Sequence, residues 1–174
     1  MTAIVGVSIA IPEPHATHLR EKRASYGDSQ AAVVPSHITL APPLTIDRAQ
    51  LGDVVERLTA VAETLRPFRV NLRGTDTFRP VSPVVFVSVV DGHDEIERLA
   101  AAVVEALDAP EPDFPFHPHV TVAHNLPDEA LDRAADDLAG FATDFEVDAF
   151  HLYVLDGEIG WVPTHALYLG VPVA

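Results

Sequence analysis

Pro35-Ser36-His37-Ile38-Thr39-Leu40 and Pro118-His119-Val120-Thr121-Val122 each set a histidine two residues before a threonine inside an apolar stretch. Residues i and i+2 of a β-strand project from one face, so each string offers an imidazole beside a hydroxyl while Ile38 and Val120 point the opposite way. A single H-x-T reads as a core histidine with a satisfied hydrogen bond. Two copies in similar strand settings point to one symmetric site with two acid/base groups and two hydroxyl donors, a set suited to a phosphate held between them.

Working outward, residues 2–11 are rich in β-branched side chains and read as a strand, which Pro12 and Pro14 end. A helix then carries Leu19 and the basic run Arg20, Lys22 and Arg23, read as a solvated face. Asp47 is placed to cap a helix whose Leu51, Val54, Val55, Leu58, Val61 and Leu65 follow the i, i+3, i+4, i+7 rule. Phe68 to Phe78 reads as extended, and Pro80 and Pro83 mark a turn or linker. Val84 to Val90 reads as a strand buried on both faces. Ile96, Leu99, Ala100, Val103, Val104 and Leu107 give a second amphipathic helix, and Ala130, Leu131, Ala134, Ala135, Leu138 and Phe141 a third. Asp144–Leu155 and Trp161–Val171 read as strands joined through Asp156-Gly157 as a hairpin. Within the first, the apolar parity passes from Phe145, Val147 and Ala149 to Phe150, Leu152 and Val154, which predicts a bulge.

Both halves thus follow one order of strand, helix, H-x-T strand, amphipathic helix and strand. The two histidines stand 82 positions apart (37 to 119), as do the strand starts at residues 2 and 84. This spacing predicts an internal duplication, with halves of roughly 1–80 and 81–174 in a single bilobal domain. The fold class expected is α+β: two pseudo-symmetric lobes, each an antiparallel sheet with helices, and a cleft between them.

The chain has 174 residues, 48% of them hydrophobic, enough for a full core, and no apolar run reaches the roughly 18 residues of a membrane span. It reads as a soluble monomeric globular protein, with the cytoplasm as the default compartment. Zero cysteines exclude a disulfide framework, a thiol nucleophile and a Cys-based zinc site. The formal charge of −15 argues against long duplex nucleic acid, whose phosphates need many Lys and Arg contacts, but leaves a small phosphate ester or an RNA end as a partner.

Histidine, with an ordinary pKa of about 6.5, serves as acid or base near neutrality. With a phosphodiester between two of them, one imidazole can deprotonate an attacking hydroxyl while the other, protonated, hands a proton to the departing oxygen. The threonine hydroxyls can donate to the non-bridging oxygens. Here the chain resembles the 2H phosphoesterase superfamily, in its 2′-5′ RNA ligase-like and cyclic phosphodiesterase branch. The resemblance spans essentially the whole chain and rests on P-S-H-I-T-L at 35–40 and F-x-P-H-V-T-V at 116–122. It implies two lobes, one containing both termini, with the site in the groove. It implies His37 and His119 as the acid/base pair, Thr39 and Thr121 on the phosphate, and no metal or organic cofactor. The implied reaction is hydrolysis of a 2′,3′-cyclic phosphate or a related RNA-derived diester; 2′-5′ RNA ligation and a non-catalytic nucleotide- or RNA-end-binding module are the alternatives.

Many members of that superfamily carry Arg or Lys soon after the second motif, where this chain has Ala123-His124. His124, Arg79 or Arg73 is then expected to supply phosphate affinity. Phe78 is a candidate for stacking on a base, as is Trp161, although aromatic residues at strand ends also complete cores. His117-x-His119 with His124 or His37 has metal-compatible spacing, weakened by Pro118 and by the lack of a carboxylate ligand. His15 and His18 are expected at the solvated surface, His93 at a helix start, and His151 and His165 on strands.

Overall fold

The computed structural model describes residues 1–170; Val171, the expected end of the last strand, lies outside them. The first sheet contains β1 (Thr2–Ala10), β2 (His37–Asp47), β7 (Ala149–Asp156) and β8 (Gly160–Tyr168), in the order β2-β1-β7-β8. The second contains β3 (Phe68–Thr77), β4 (Val84–Asp91), β5 (His119–His124) and β6 (Ala142–Val147), in the order β5-β4-β3-β6. All pairings are antiparallel. Each H-x-T strand occupies an edge, β2 beside β1 in one sheet and β5 beside β4 in the other. β1 and β8 share a lobe, so one lobe holds both ends of the described chain.

The lobes do not follow the chain halves. Helix α2 (Leu51–Glu63) packs on β8, and α3 (His93–Ala106), which links β4 to β5 of the second sheet, packs on α2 and β2 of the first. Conversely α1 (His15–Ser25), which links β1 to β2, packs on β5, and α4 (Asp128–Asp137) packs on β3, β4 and β5. Each lobe therefore takes a helix from the connection of the other, and β2 and β5 are drawn into contact. Buried apolar side chains from both lobes form one continuous cluster.

Sequence pattern explains most elements. β1 buries Ala3, Val5, Val7 and Ile9 and turns Ile4, Gly6 and Ser8 toward the other face, the alternation of a half-buried strand. Asp47 accepts the Ala49 N–H and forms a capping box with Gln50, starting a 3-10 turn that runs into α2. His93 does begin α3, behind Gly92. The third amphipathic pattern is helical only as far as Asp137, with Leu138 and Phe141 packing beyond its end. In β4 the buried run holds for Val84–Val87, whereas Val90 is exposed near the strand end.

One expectation is corrected here. The parity change after Val147 is no bulge: β6 pairs with β3, and at Asp148 the chain leaves that sheet to pair as β7 with β1. The inward face is redefined at the switch, so Phe145 and Val147 on one side and Phe150 and Leu152 on the other are all buried. The observed strands start at Thr2 and Val84 and at His37 and His119, as the spacing has it, although register is not shared. His37 pairs with Ala10 and His119 with Ser88, which are 78 positions apart (10 to 88), and the offset is present from the strand starts, where Thr2 pairs with Asp47 and Val84 with His124.

Ile38 and Val120, the middle residues of the two motifs, are fully buried. Ile38→Ala is expected to lower unfolding free energy by about 2–5 kcal/mol in urea denaturation. Ile4→Ala, on the exposed face of the neighbouring strand, should change it by no more than ~0.5 kcal/mol.

Candidate active site

His37 and Thr39 stand half-buried on β2, His119 and Thr121 half-buried on β5, each pair flanking a buried residue as strand geometry requires. The two histidines are held alike. His37 Nδ1 lies 2.7 Å from the Pro35 carbonyl oxygen, and His119 Nδ1 lies 2.7 Å from that of His117. A carbonyl only accepts, so both Nδ1 atoms carry the hydrogen and Nε2 is left as the open acid/base atom of each neutral ring. The residue two before each histidine thus fixes its tautomer.

Burial is the main cause that lowers both pKa values. For His37 the Pro35 carbonyl opposes it and the Arg23 charge adds to it. For His119 the His117 carbonyl opposes it, while His117 and His37 repel its protonated form. The two motif histidines are close enough to sense each other's charge, and both are favoured as neutral imidazoles at neutral pH.

Beside His37 and Thr39 lies a cavity of about 130 Å3, lined by Gly6, Ser8, Pro43, Tyr153 and Trp161 among others. Ser8 is the cross-strand neighbour of Thr39, and Gly6 that of Tyr153. A Cβ on Gly6 would stand 3.3 Å from the Trp161 ring, so glycine keeps this wall open. Trp161 donates its backbone N–H to Val33 O, and the same carbonyl passes so close to Gly160 (φ 99°) that a Cβ there would meet it at 2.5 Å. Sequence singled out Trp161 but not the other walls, which come from four separate strands and loops.

Phe78 packs on Phe86, with ring centres 4.4 Å apart, and meets the His119 ring edge-on at 5.0 Å. It therefore braces His119. Arg79 is tied to Thr77 and ion-paired with Asp128 and Asp132 on α4, and Arg73 is exposed on β3. His124 ends β5 and gives its backbone N–H to Asp28 Oδ2 at 3.0 Å.

The basic run on α1 is not wholly solvated. Lys22 bridges to Asp137, but Arg23 is buried and its Nε donates to Asp28 Oδ2 at 2.7 Å. Ser8, Arg23 and Asp28 are the buried polar residues of the described chain. His15, expected in solvent, is half-buried against Thr143 and Phe141, whereas His18 is exposed. His117, His119, His124 and His37 are not drawn to common metal-ligand distance. Among the described residues, the group at such spacing is His93, Asp94 and Glu97 at the start of α3.

The two-lobed fold with its facing edge strands is that of a LigT-like 2H phosphoesterase. The chain is similar to Escherichia coli LigT complexed with 3′-AMP (TM-score 0.69, 18% identity, covering 97% of this chain and 99% of that one). It is likewise similar to TT0787 of Thermus thermophilus (TM-score 0.66, 24% identity, 95% and 97%). A protein of Geobacillus kaustophilus named "Putative phosphoesterase" is 32% identical over 127 residues, 72% of this chain and 73% of its own length. One of the same name from Bacillus pumilus is 30% identical over 149 residues, 82% and 84%. The sequence pattern of the 2′-5′ RNA ligase superfamily matches residues 11–158, and the chain belongs to that superfamily. No helix among the described residues is long and apolar enough to cross a membrane.

Because the folded state lowers both histidine pKa values, their linked stability is fully present above the ordinary value of about 6.5 and is lost as pH falls through the depressed ones. Urea unfolding from pH 7.5 down to pH 5 should therefore show a steeper decline for the natural chain than for the His37→Gln/His119→Gln variant. Parallel declines would mean that the rings are not held neutral.

Proposed function

We propose that this protein is a phosphoesterase that opens a 2′,3′-cyclic phosphate, or a closely related RNA-derived diester, with His37 and His119 as acid and base. The observation that carries this reading is the shared tautomer of the two histidines on adjoining edge strands, each with Nδ1–H on the carbonyl two residues back. That arrangement leaves two equivalent Nε2 atoms for proton transfer. In the reaction, water bonds to phosphorus as one neutral imidazole takes its proton. The P–O3′ bond breaks, the other ring, protonated, supplies the proton for O3′, and a 2′-phosphate results. Thr39 and Thr121 donate to the non-bridging oxygens, whose charge must be balanced as the bonds exchange. The nucleoside sits toward Trp161 and Tyr153, in the cavity beside His37. Ligation is the same exchange with the 5′-hydroxyl of a second RNA end replacing water, and the superfamily's name supports testing it.

A binding-only module is the second reading. It is favoured by the neutrality of both rings in the free protein, which leaves no proton donor ready until a ligand's negative charge raises one pKa.

A panel of 2′,3′-cyclic nucleotides, cyclic-phosphate RNA ends and 2′-5′ dinucleotides, assayed in EDTA, separates these readings. His37→Ala and His119→Ala should each lower kcat/KM by about 100- to 10,000-fold with the fold intact. Thr39→Ala and Thr121→Ala should cost up to ~100-fold. Full activity of the double histidine variant would overturn the acid/base assignment, and tight nucleotide binding without turnover would select the module. Since both pKa values are depressed, one neutral and one protonated ring coexist most often on the acidic side of about pH 6.5, so kcat/KM should peak there.

A further inference from the structure

A phosphate held between two neutral imidazoles needs a fixed positive charge, and neither H-x-T strand carries one. Arg79 is claimed by Asp128 and Asp132, and Arg73 is exposed on β3. The buried cation of the described chain is Arg23, with a side chain 8% exposed. Its ion pair uses only Nε; among the described residues, its two Nη groups have no hydrogen-bond partner. The buried side-chain atoms without a partner among the described residues are Asn71 Oδ1 and His151 Nδ1, so the Arg23 Nη groups are not sealed from solvent and stand open to an incoming anion.

Its place is fixed by both motifs. Asp28 holds Arg23 and also accepts the backbone N–H of His124, at the end of the second H-x-T strand. From the first side, Ser36, next to His37, donates its hydroxyl to Ala16 O of the same helix. Arg23 thus sits at the seam where β2 and β5 approach, near enough for its charge to act on His37. We propose that Arg23 is the phosphate-binding cation of this site, with its Nη groups donating to the non-bridging oxygens and Asp28 anchoring it through Nε. This rests on the phosphoesterase reading above and adds a substrate-binding residue to it. The bidentate fork explains why a buried arginine serves where a lysine would lose both its fit and its anchor.

The test pairs inorganic phosphate binding with turnover. In the natural protein, the Arg23 side-chain N–H signals should shift and gain exchange protection on phosphate titration; unchanged signals would overturn the proposal without any mutation. Arg23→Met combined with Asp28→Asn removes both buried charges together, avoiding an orphaned carboxylate. That variant should bind phosphate at least 10-fold more weakly and lose about 100-fold in kcat/KM. The acid limb of its pH profile should move upward, because the charge that opposes His37 protonation is gone. A purely structural role would lower Tm and leave the phosphate affinity of the folded variant unchanged. A folded double variant with natural phosphate affinity and kcat/KM would overturn the Arg23 assignment while the natural enzyme's turnover upheld the phosphoesterase reading. A natural protein with neither phosphate binding nor turnover would overturn both.

Discussion

The contact between two sheet edges is the constraint on which the rest depends. β2 and β5 are the outer strands of different sheets, and an unpaired edge is ordinarily something a protein covers or blunts. Here the exchange of helices places α1 against β5 and α3 against β2, so each edge is held by an element from the other lobe's connection. The apolar middle residues Ile38 and Val120 anchor the strands in the core, and their neighbours His37, Thr39, His119 and Thr121 are left with one half-buried face. Burial of one residue type thereby dictates exposure of the other, and the chemistry follows from packing.

The same burial sets the electrostatics. Desolvation favours neutral imidazoles, and the carbonyls of Pro35 and His117 choose which nitrogen bears the hydrogen. Within a chain of strong net negative charge, the seam also buries one ion pair, Arg23 with Asp28, and ties it to the backbone of His124. A buried pair of this kind is weak support for stability in itself, because desolvation offsets its attraction. Its position between the two motifs gives it another use.

Much of this was legible in the sequence because it is local. The 3.6-residue period of α2 and α3, the Asp47 cap and the i, i+2 geometry of H-x-T each depend on a few neighbouring residues, and the lobed α+β class follows from their order. What was hidden depends on partners distant in sequence. The parity change after Val147 looks the same whether a strand bulges or changes sheets, and only the pairing with β3 and then β1 distinguishes the two. Arg23 read as solvated because α1 has one strong apolar anchor, Leu19, and its inward face is defined by Asp28 and β5. The Gly6, Tyr153 and Trp161 walls meet from three strands with no motif linking them.

The central claim is that His37 and His119 form one phosphate site with matched tautomers. Nitrogen-detected NMR of isotope-labelled histidine, titrated with pH before and after addition of inorganic phosphate, addresses it most directly. The account predicts Nδ1–H tautomers and pKa values below the ordinary 6.5 for both rings in the free protein, with both resonances responding to phosphate and at least one pKa rising. An Nε2–H tautomer at either position, or a phosphate response confined to one ring, would contradict it.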